Sequence, residues 1–357
     1  MKIRRFLMVG LVCIFMVFGL TLNSLATEYP SITLRVTSAY PSATFANKLL
    51  HWFMEDVKEA TAGKIKFQEY WGGSLLKGRE ILEGVQHGVT DLALLCPPYN
   101  PGKLPIAYSN YAFPFAPRSA AVMSWIVGQL YKEFPFMVQE FTKYNMKSLC
   151  NGTVSDYGIL SRDPMTTLKE FKGKKIVQLG GYFADWTKAS GIQPVSGITA
   201  GERYERLRTG VVEGSLLTPS FFVAYKEYEV ANNCVMTGLG SRVPFFVVCN
   251  LKKWNTLTPQ VQKLFMDIGQ RIQKRHAEGT DQEMEHSLKI LQANDVKYYG
   301  YLSDKVLIQW AALVPDTPAT MCKSLEGKYP KIWDMAHRFI KLAEEKGHKW
   351  PRKFAIK

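Results

Sequence analysis

The chain has 357 residues, of which 46% are hydrophobic and 13% aromatic, which suffices for more than one buried core and points to two lobes. The formal net charge is +14, yet its Lys and Arg residues are dispersed, with no basic run interleaved with aromatics. That excludes a nucleic-acid-binding surface and leaves solvated faces, with at most a weak preference for an anionic solute or an anionic membrane surface.

The N-terminus carries Lys2, Arg4 and Arg5, an apolar run over residues 6–22, and then Ser24-Leu25-Ala26. A basic start, an apolar centre and small residues at the end predict a secretory signal peptide over residues 1–26, cleaved near Ala26. The apolar run is also close to the length of an uncleaved anchor, and the small-residue pattern decides for removal. Cys13 lies inside that run behind Val12, where a lipoprotein signal wants a small residue. No other segment reaches ~18 uninterrupted apolar residues, so the mature chain is expected to be soluble and periplasmic. With Cys13 removed, Cys96, Cys150, Cys234, Cys249 and Cys322 remain, an odd set without close spacing. Neither a disulfide framework nor a zinc site is indicated; most should be small buried hydrophobes, and one disulfide is permitted with no pair singled out.

Ile32, Leu34 and Val36 alternate with polar residues and predict a first strand. Ser42 is placed as the N-cap of a helix with Phe45, Leu49, Phe53 and Val57 on its apolar face, closed by Gly63. Ile65 and Phe67 mark a second strand that runs into Tyr70-Trp71-Gly72-Gly73. Ile81, Leu82 and Val85 mark a helix stopped by Gly88, and Leu92-Ala93-Leu94-Leu95 is a buried strand. This alternation predicts an α/β lobe with a largely parallel sheet. Residues 100–117, rich in Pro, Tyr and Phe, read as an irregular connection over the lobe face.

Residues 154–219 organise the rest: a strand, a turn, a second strand, a Gly180-Gly181 joint, a helix, a short strand and another helix. Ile176 and Val177 form a buried strand ending at that joint. Phe183, Trp186 and Ala189 share a face of the next helix, which Gly191 stops. Open α/β sheets place ligands beyond the carboxyl ends of their strands, which makes the joint a ligand loop; a tight turn that simply needs glycine is the plainer alternative. Further on, residues 244–250 read as a strand. Thr258 caps and Pro259 opens a long helix striped by Val261, Leu264, Phe265, Ile268 and Ile272.

Catalysis finds nothing to rest on. His51, His87, His276, His286, His337 and His348 belong to no paired motif, and there is no nucleophile elbow, phosphate loop or dinucleotide fingerprint. Glu202, Glu205 and Glu213 fit helix-surface or capping roles better than acid and base roles.

The organising stretch resembles the solute-binding proteins of TRAP transporters. The matching residues are Phe171-Lys172-Gly173, Lys175-Ile176, Gly191-Ile192-Gln193-Pro194-Val195, Glu202, Tyr204, Leu207, Gly210-Val211-Val212-Glu213-Gly214 and Pro219. Upstream, Thr61, Gly63, Ile65, Leu75, Glu80, Val85, Gly88 and Asp91 follow the same family pattern, with Leu76 where Gly is usual. Downstream, Asn250, Trp254, Leu257, Pro259 and Gln262 do so as well. The resemblance implies an α/β, two-lobed periplasmic-binding-protein architecture with crossing strands and a lobe-spanning helix near residues 258–293. On that reading lobe I takes residues 27–153 plus 244–283, and lobe II takes 154–243 plus 284–357. It implies a receptor rather than an enzyme, without a cofactor, that captures a small organic acid by lobe closure and delivers it to small and large TRAP membrane subunits.

The resemblance also exposes departures. The family arginine that grips the ligand carboxylate is replaced by Val177, a second arginine by Tyr157, and an asparagine by Thr218. Either another donor grips an acid, such as Arg162, Arg118, Arg242 or the Gly180-Gly181 amides, or the solute is less charged and more aromatic. The ligand-binding set expected from this is Tyr40, Trp71, Tyr99, Tyr157, Arg162, Val177, Gln178, Gly180, Tyr182, Thr218, Phe221 and Tyr225, with core packing as the competing role for the aromatic members. The alternative function is an exported binding or sensor protein for a neutral or aromatic solute, acting without a TRAP permease.

Overall fold

The structure is a computed structural model and describes residues 29–198 and 200–356. The signal peptide read at residues 1–26 and Cys13 lie outside the described residues. The strands are β1 (Ile32–Thr37), β2 (Ile65–Tyr70), β3 (Leu92–Leu95), β4 (Met146–Val154), β5 (Gly158–Ser161) and β6 (Lys175–Val177). They continue with β7 (Gln193–Val195), β8 (Gly214–Leu217), β9 (Asn233–Met236), β10 (Arg242–Asn250) and β11 (Lys297–Tyr301).

Two sheets result, ordered β2-β1-β3-β10-β4 and β11-β9-β5-β8-β6-β7. In the first, β1 runs parallel to β2 and β3, but β10 is antiparallel to both β3 and β4. The expectation of a largely parallel sheet is therefore corrected to a mixed one. The reason is connectivity: β10 enters from the second sheet at the end where β3 finishes, and so runs back along it. The alternating residues Leu34 and Val36 are fully buried, as are all four side chains of β3.

Two short crossings join the sheets, residues 155–157 between β4 and β5 and residues 237–241 between β9 and β10. These crossings are bonded to each other. Thr237 donates to the Tyr157 carbonyl from both its amide (2.9 Å) and its hydroxyl (2.7 Å), and the Ser241 hydroxyl donates to the Val154 carbonyl at 2.5 Å. The helix Pro259–Ala293 spans the two sheets. Phe265, Ile268 and Ile272 pack with Leu49 and Phe53 of the first lobe, and Leu288 and Leu291 with Leu160 of the second. Its N-cap is Thr258, which accepts from the Val261 amide at 3.3 Å.

Two local expectations change. Ser42 caps no helix: it hydrogen-bonds His51 at 3.1 Å, and the first helix enters through a 3-10 turn, Phe45–Asn47, before Lys48–Ala60. The last two helices, Thr317–Leu325 and Ile332–Glu345, also do not follow lobe II, whereas Asp304–Leu313 does, its Trp310 packing on Phe171 and donating to the Trp186 carbonyl. The helix Ile332–Glu345 has a strongly apolar stripe, and its Met335, Ala336 and Phe339 share a core with Met123, Ile126 and Phe246. Phe339 stacks on Phe113 at 4.1 Å, so this segment completes the first lobe. Cys96, Cys150, Cys234, Cys249 and Cys322 are all buried free thiols.

Candidate functional site

Between the lobes lies a narrow cleft lined by residues of both. Its walls come from the carboxyl ends of strands and the loops that follow them, as expected for open α/β sheets. Tyr40 follows β1, Tyr99 lies in the 3-10 turn after β3, Leu179 follows β6, and Thr218 and Phe221 follow β8. Tyr157 reaches it from the crossing segment, and Tyr111 from a 3-10 turn, Ser109–Ala112. The connection over residues 104–117 that carries Tyr111 is almost wholly buried rather than draped over the lobe.

The polar side chains of this wall are two phenol pairs, the Thr218 hydroxyl, the Cys96 thiol and one guanidinium. The Tyr40 hydroxyl donates to the Tyr99 hydroxyl at 3.3 Å, and the Tyr111 and Tyr157 hydroxyls share a hydrogen bond at 3.1 Å. Burial pushes the Tyr99 and Tyr157 phenols up to about 12, and Tyr40 and Tyr111 well above their ordinary value, so all four act as neutral hydrogen-bonding groups. Burial likewise pushes the Cys96 thiol in this wall up to about 12. Tyr40 packs edge-on against Phe245 at 5.4 Å and tilted against Phe221 at 5.7 Å, which fixes the apolar side.

The guanidinium is Arg203, from the helix Ala200–Arg208. Its Nη1 donates to the Ser215 hydroxyl at 2.8 Å and to the Val177 carbonyl at 3.3 Å. Those two acceptors are neighbours because β6 and β8 pair in the register Val177↔Ser215. A buried arginine tethered on one nitrogen and facing a cleft is suited to taking a carboxylate. The sequence reading passed over this residue. The available signal was its position: Arg203 and Leu207 are four apart on the buried face of a helix whose other face is charged.

Of the twelve expected residues, Tyr40, Tyr99, Tyr157, Thr218 and Phe221 line this cleft. The others lie elsewhere. Tyr225 stands behind the wall, stacked on Phe221 at 6.0 Å. Val177 turns its side chain into the second lobe's core with Leu160, Leu207 and Phe222, leaving only its carbonyl for Arg203. Gln178 is buried and donates to Thr187 at 2.7 Å. Gly180 accepts from the Tyr108 hydroxyl at 3.5 Å, and Tyr182 stacks on the Tyr108 ring at 5.4 Å, so the glycine joint closes an interlobe contact rather than cradling the cleft. Trp71 stacks on His51 at 4.5 Å and donates to Glu69, and Arg162 bonds the Leu207 and Arg208 carbonyls at the end of a surface helix.

The other basic candidates are also occupied. Arg242 is fully buried, donating to the Ser241, Phe113 and Leu239 carbonyls, with its guanidinium 5.2 Å from the Trp186 ring. Arg118 lies over Tyr301 at 4.0 Å and as far from the Asp156 carboxylate. Among the described residues no group of three or more His, Cys, Asp and Glu could hold a metal ion, and no helix is long and apolar enough to cross a membrane.

Comparison with known proteins places this geometry. Residues 36–315 match the family described as bacterial extracellular solute-binding protein, family 7. A solute-binding protein of Albidiferax ferrireducens is 21% identical over 292 residues, covering 80% of this chain and 85% of its own. The C4-dicarboxylate-binding protein DctB of Bacillus subtilis is 22% identical over 280 residues, covering 76% of this chain and 75% of its own. A marine metagenome TRAP solute-binding protein specific for aromatic acid ligands, solved with 3-hydroxybenzoate, superposes with a TM-score of 0.79 at 19% identity, over 88% of this chain and 99% of its own. A pyroglutamic-acid-binding extracytoplasmic receptor of Bordetella pertussis gives 0.77 at 19% identity, over 88% and 100%. The matched span, the two sheets and the cleft agree: the chain belongs to the family 7 bacterial extracellular solute-binding proteins, the solute receptors of TRAP transporters, which are binding proteins and not enzymes.

Proposed function

We propose that this receptor captures an organic acid with a single carboxylate on a ring or similarly apolar body, with Arg203 taking the carboxylate. The observation that carries this is the wall itself: one guanidinium, held by Ser215 and Val177, in a cleft otherwise built of rings, aliphatic side chains and neutral hydroxyls. Arg203 replaces, from a different element, the charge lost at Val177. A ring between Tyr40, Phe221 and Phe245 gains stacking and edge contacts, and the two phenol pairs suit a hydroxyl or carbonyl substituent. Support comes from relatives of the same fold that hold 3-hydroxybenzoate and pyroglutamate, each a small ring bearing one carboxylate. A dicarboxylate would bring a second charge to a wall with one cation, at a large desolvation cost.

In this reading the lobes close over the solute, the chain is exported with cleavage near Ala26, and the loaded form is delivered to the small and large membrane subunits of a TRAP permease. The test is a thermal-shift and calorimetric screen of the chain from residue 27 onward against aromatic monocarboxylates, pyroglutamate, aliphatic dicarboxylates and neutral aromatics. The expected hits are ring monocarboxylates, with Arg203→Met weakening them by about 30-fold or more. Hits confined to neutral aromatics, or an Arg203→Met variant that binds acids unchanged, overturn the assignment.

A further inference from the structure

Glu227 lies fully buried in a 3-10 turn, Glu227–Glu229, and among the described residues its carboxylate oxygens make no close hydrogen bond, the Ser215 hydroxyl being the one group near enough to act on them as a donor. The turn packs on the helices Ala200–Arg208 and Pro219–Ala224. From the first comes Arg203, whose positive charge acts on Glu227, while Tyr204 instead reaches out to Glu229 at 3.1 Å. From the end of the second comes Tyr225, a neutral phenol raised by burial and, in part, by the Glu227 charge. From β8 comes the Ser215 hydroxyl, which accepts from Arg203 and lies beside Glu227. On its own turn, Lys226 turns away to an exposed ion pair with Glu229 at 3.8 Å.

A buried carboxylate is tolerated when a cation compensates it, and here the compensating cation is the residue that faces the cleft. Resting on the assignment of Arg203 as the ligand anchor, we propose that capture of a carboxylate is proton-linked: when the ligand's carboxylate takes Arg203, Glu227 takes up one proton from solvent. Two carboxylates around one buried guanidinium repel each other, as in paired acids that share a proton. Protonation removes that repulsion, and the new O–H can donate to the Ser215 hydroxyl beside it. Burial already pushes the Glu227 carboxyl upward in the free protein, with Arg203 and Ser215 opposing, so the group is poised for this exchange. The sign follows: binding strengthens as pH falls through the window between the free and liganded states of Glu227, and is independent of pH outside it.

The test is isothermal titration of benzoate and 3-hydroxybenzoate, both ionised throughout, at several pH values from about 5 to about 8. Two buffers of different ionisation enthalpy at each pH give the number of protons exchanged. The expected result is uptake approaching one proton per ligand somewhere in that range, affinity falling up to about tenfold per pH unit there, and a Glu227→Gln variant whose binding neither takes up a proton nor depends on pH. The wild-type buffer comparison decides the matter even where the variant does not fold. Absence of proton uptake in wild type, while Arg203→Met abolishes binding, overturns the linkage and leaves the anchor standing. Uptake that persists in Glu227→Gln also overturns it. Unchanged binding in Arg203→Met, or no binding of either probe, overturns both.

Discussion

Replacing Asp156 by Asn tests how the two crossing segments are held. Asp156 is fully buried, and its Oδ1 accepts from the Tyr157 and Gly240 amides, each at 2.7 Å, so that one oxygen clamps both crossings. Oδ2 has no hydrogen-bond partner, and the Arg118 Nε stands 4.0 Å away. Burial pushes the carboxyl from 3.8 up to about 6, against the opposing pull of the Gly240 amide, Arg118 and the Tyr157 amide. A carboxyl whose folded value lies above its unfolded one contributes stability that is complete below about pH 4 and lost as pH rises through about 6. At 1.36 kcal/mol per pH unit this amounts to about 3 kcal/mol. Asparagine keeps an acceptor oxygen for both amides and removes the titration, while its amide group in the Oδ2 position lacks an acceptor at every pH, costing about 1–3 kcal/mol. The pH dependence of the difference is therefore the decisive quantity. Urea unfolding of wild type and Asp156→Asn from about pH 4 to about pH 8 should show the variant gaining about 3 kcal/mol on wild type as pH rises. Parallel stability curves would refute the reasoning and mean that Arg118 and Arg242 already compensate the buried charge.

Two further outcomes concern backbone supports. Gly240→Ala should destabilise by about 3 kcal/mol or more, because φ is +95° and the added Cβ would lie 2.1 Å from the Ala116 carbonyl oxygen, whereas Gly63→Ala, at φ +75° with nothing within 4 Å, should cost only about 1–2 kcal/mol in the same denaturation assay. Glu140 accepts from the Ile106 and Ala107 amides at 2.9 and 2.8 Å; with a single carbonyl oxygen, Glu140→Gln should cost about 1–3 kcal/mol and speed hydrogen exchange at one of those two amides.

What could be read in advance divides along physical lines. Periodic features were legible: the alternation in β1, the apolar stripe of the long helix and the Thr258 cap each rest on a few adjacent residues, and each is where the sequence put it. Long-range features were not. The polarity of β10 depends on which end of the first sheet the chain re-enters, and the last helix joins lobe I because Phe339 finds Phe113, more than 200 residues away. The site shows the same split. Aromatic residues just beyond strand ends were placed on the cleft wall where the strand end faces the other lobe, as for Tyr40, Tyr99 and Phe221, and misplaced where the chain turns outward, as for Trp71.

The charge was the hardest part, because matching positions to the family pattern tracks residues rather than space. Looking for a guanidinium at Val177 failed, yet the structure has one within hydrogen-bonding distance of the Val177 carbonyl. It arrives from Arg203, 26 residues later, because β6 pairs with β8 and the helix between them folds its buried face back over the pair. The same folding brings Ser215 within 2.8 Å of it and sets Glu227 within reach of its charge. In the proposed site the anchoring arginine shares its charge with a buried acid, Glu227. An arginine on the β6 strand would offer the same charge to a carboxylate, but on the proposed linkage only Arg203 makes the strength of that offer depend on the protonation of a neighbour.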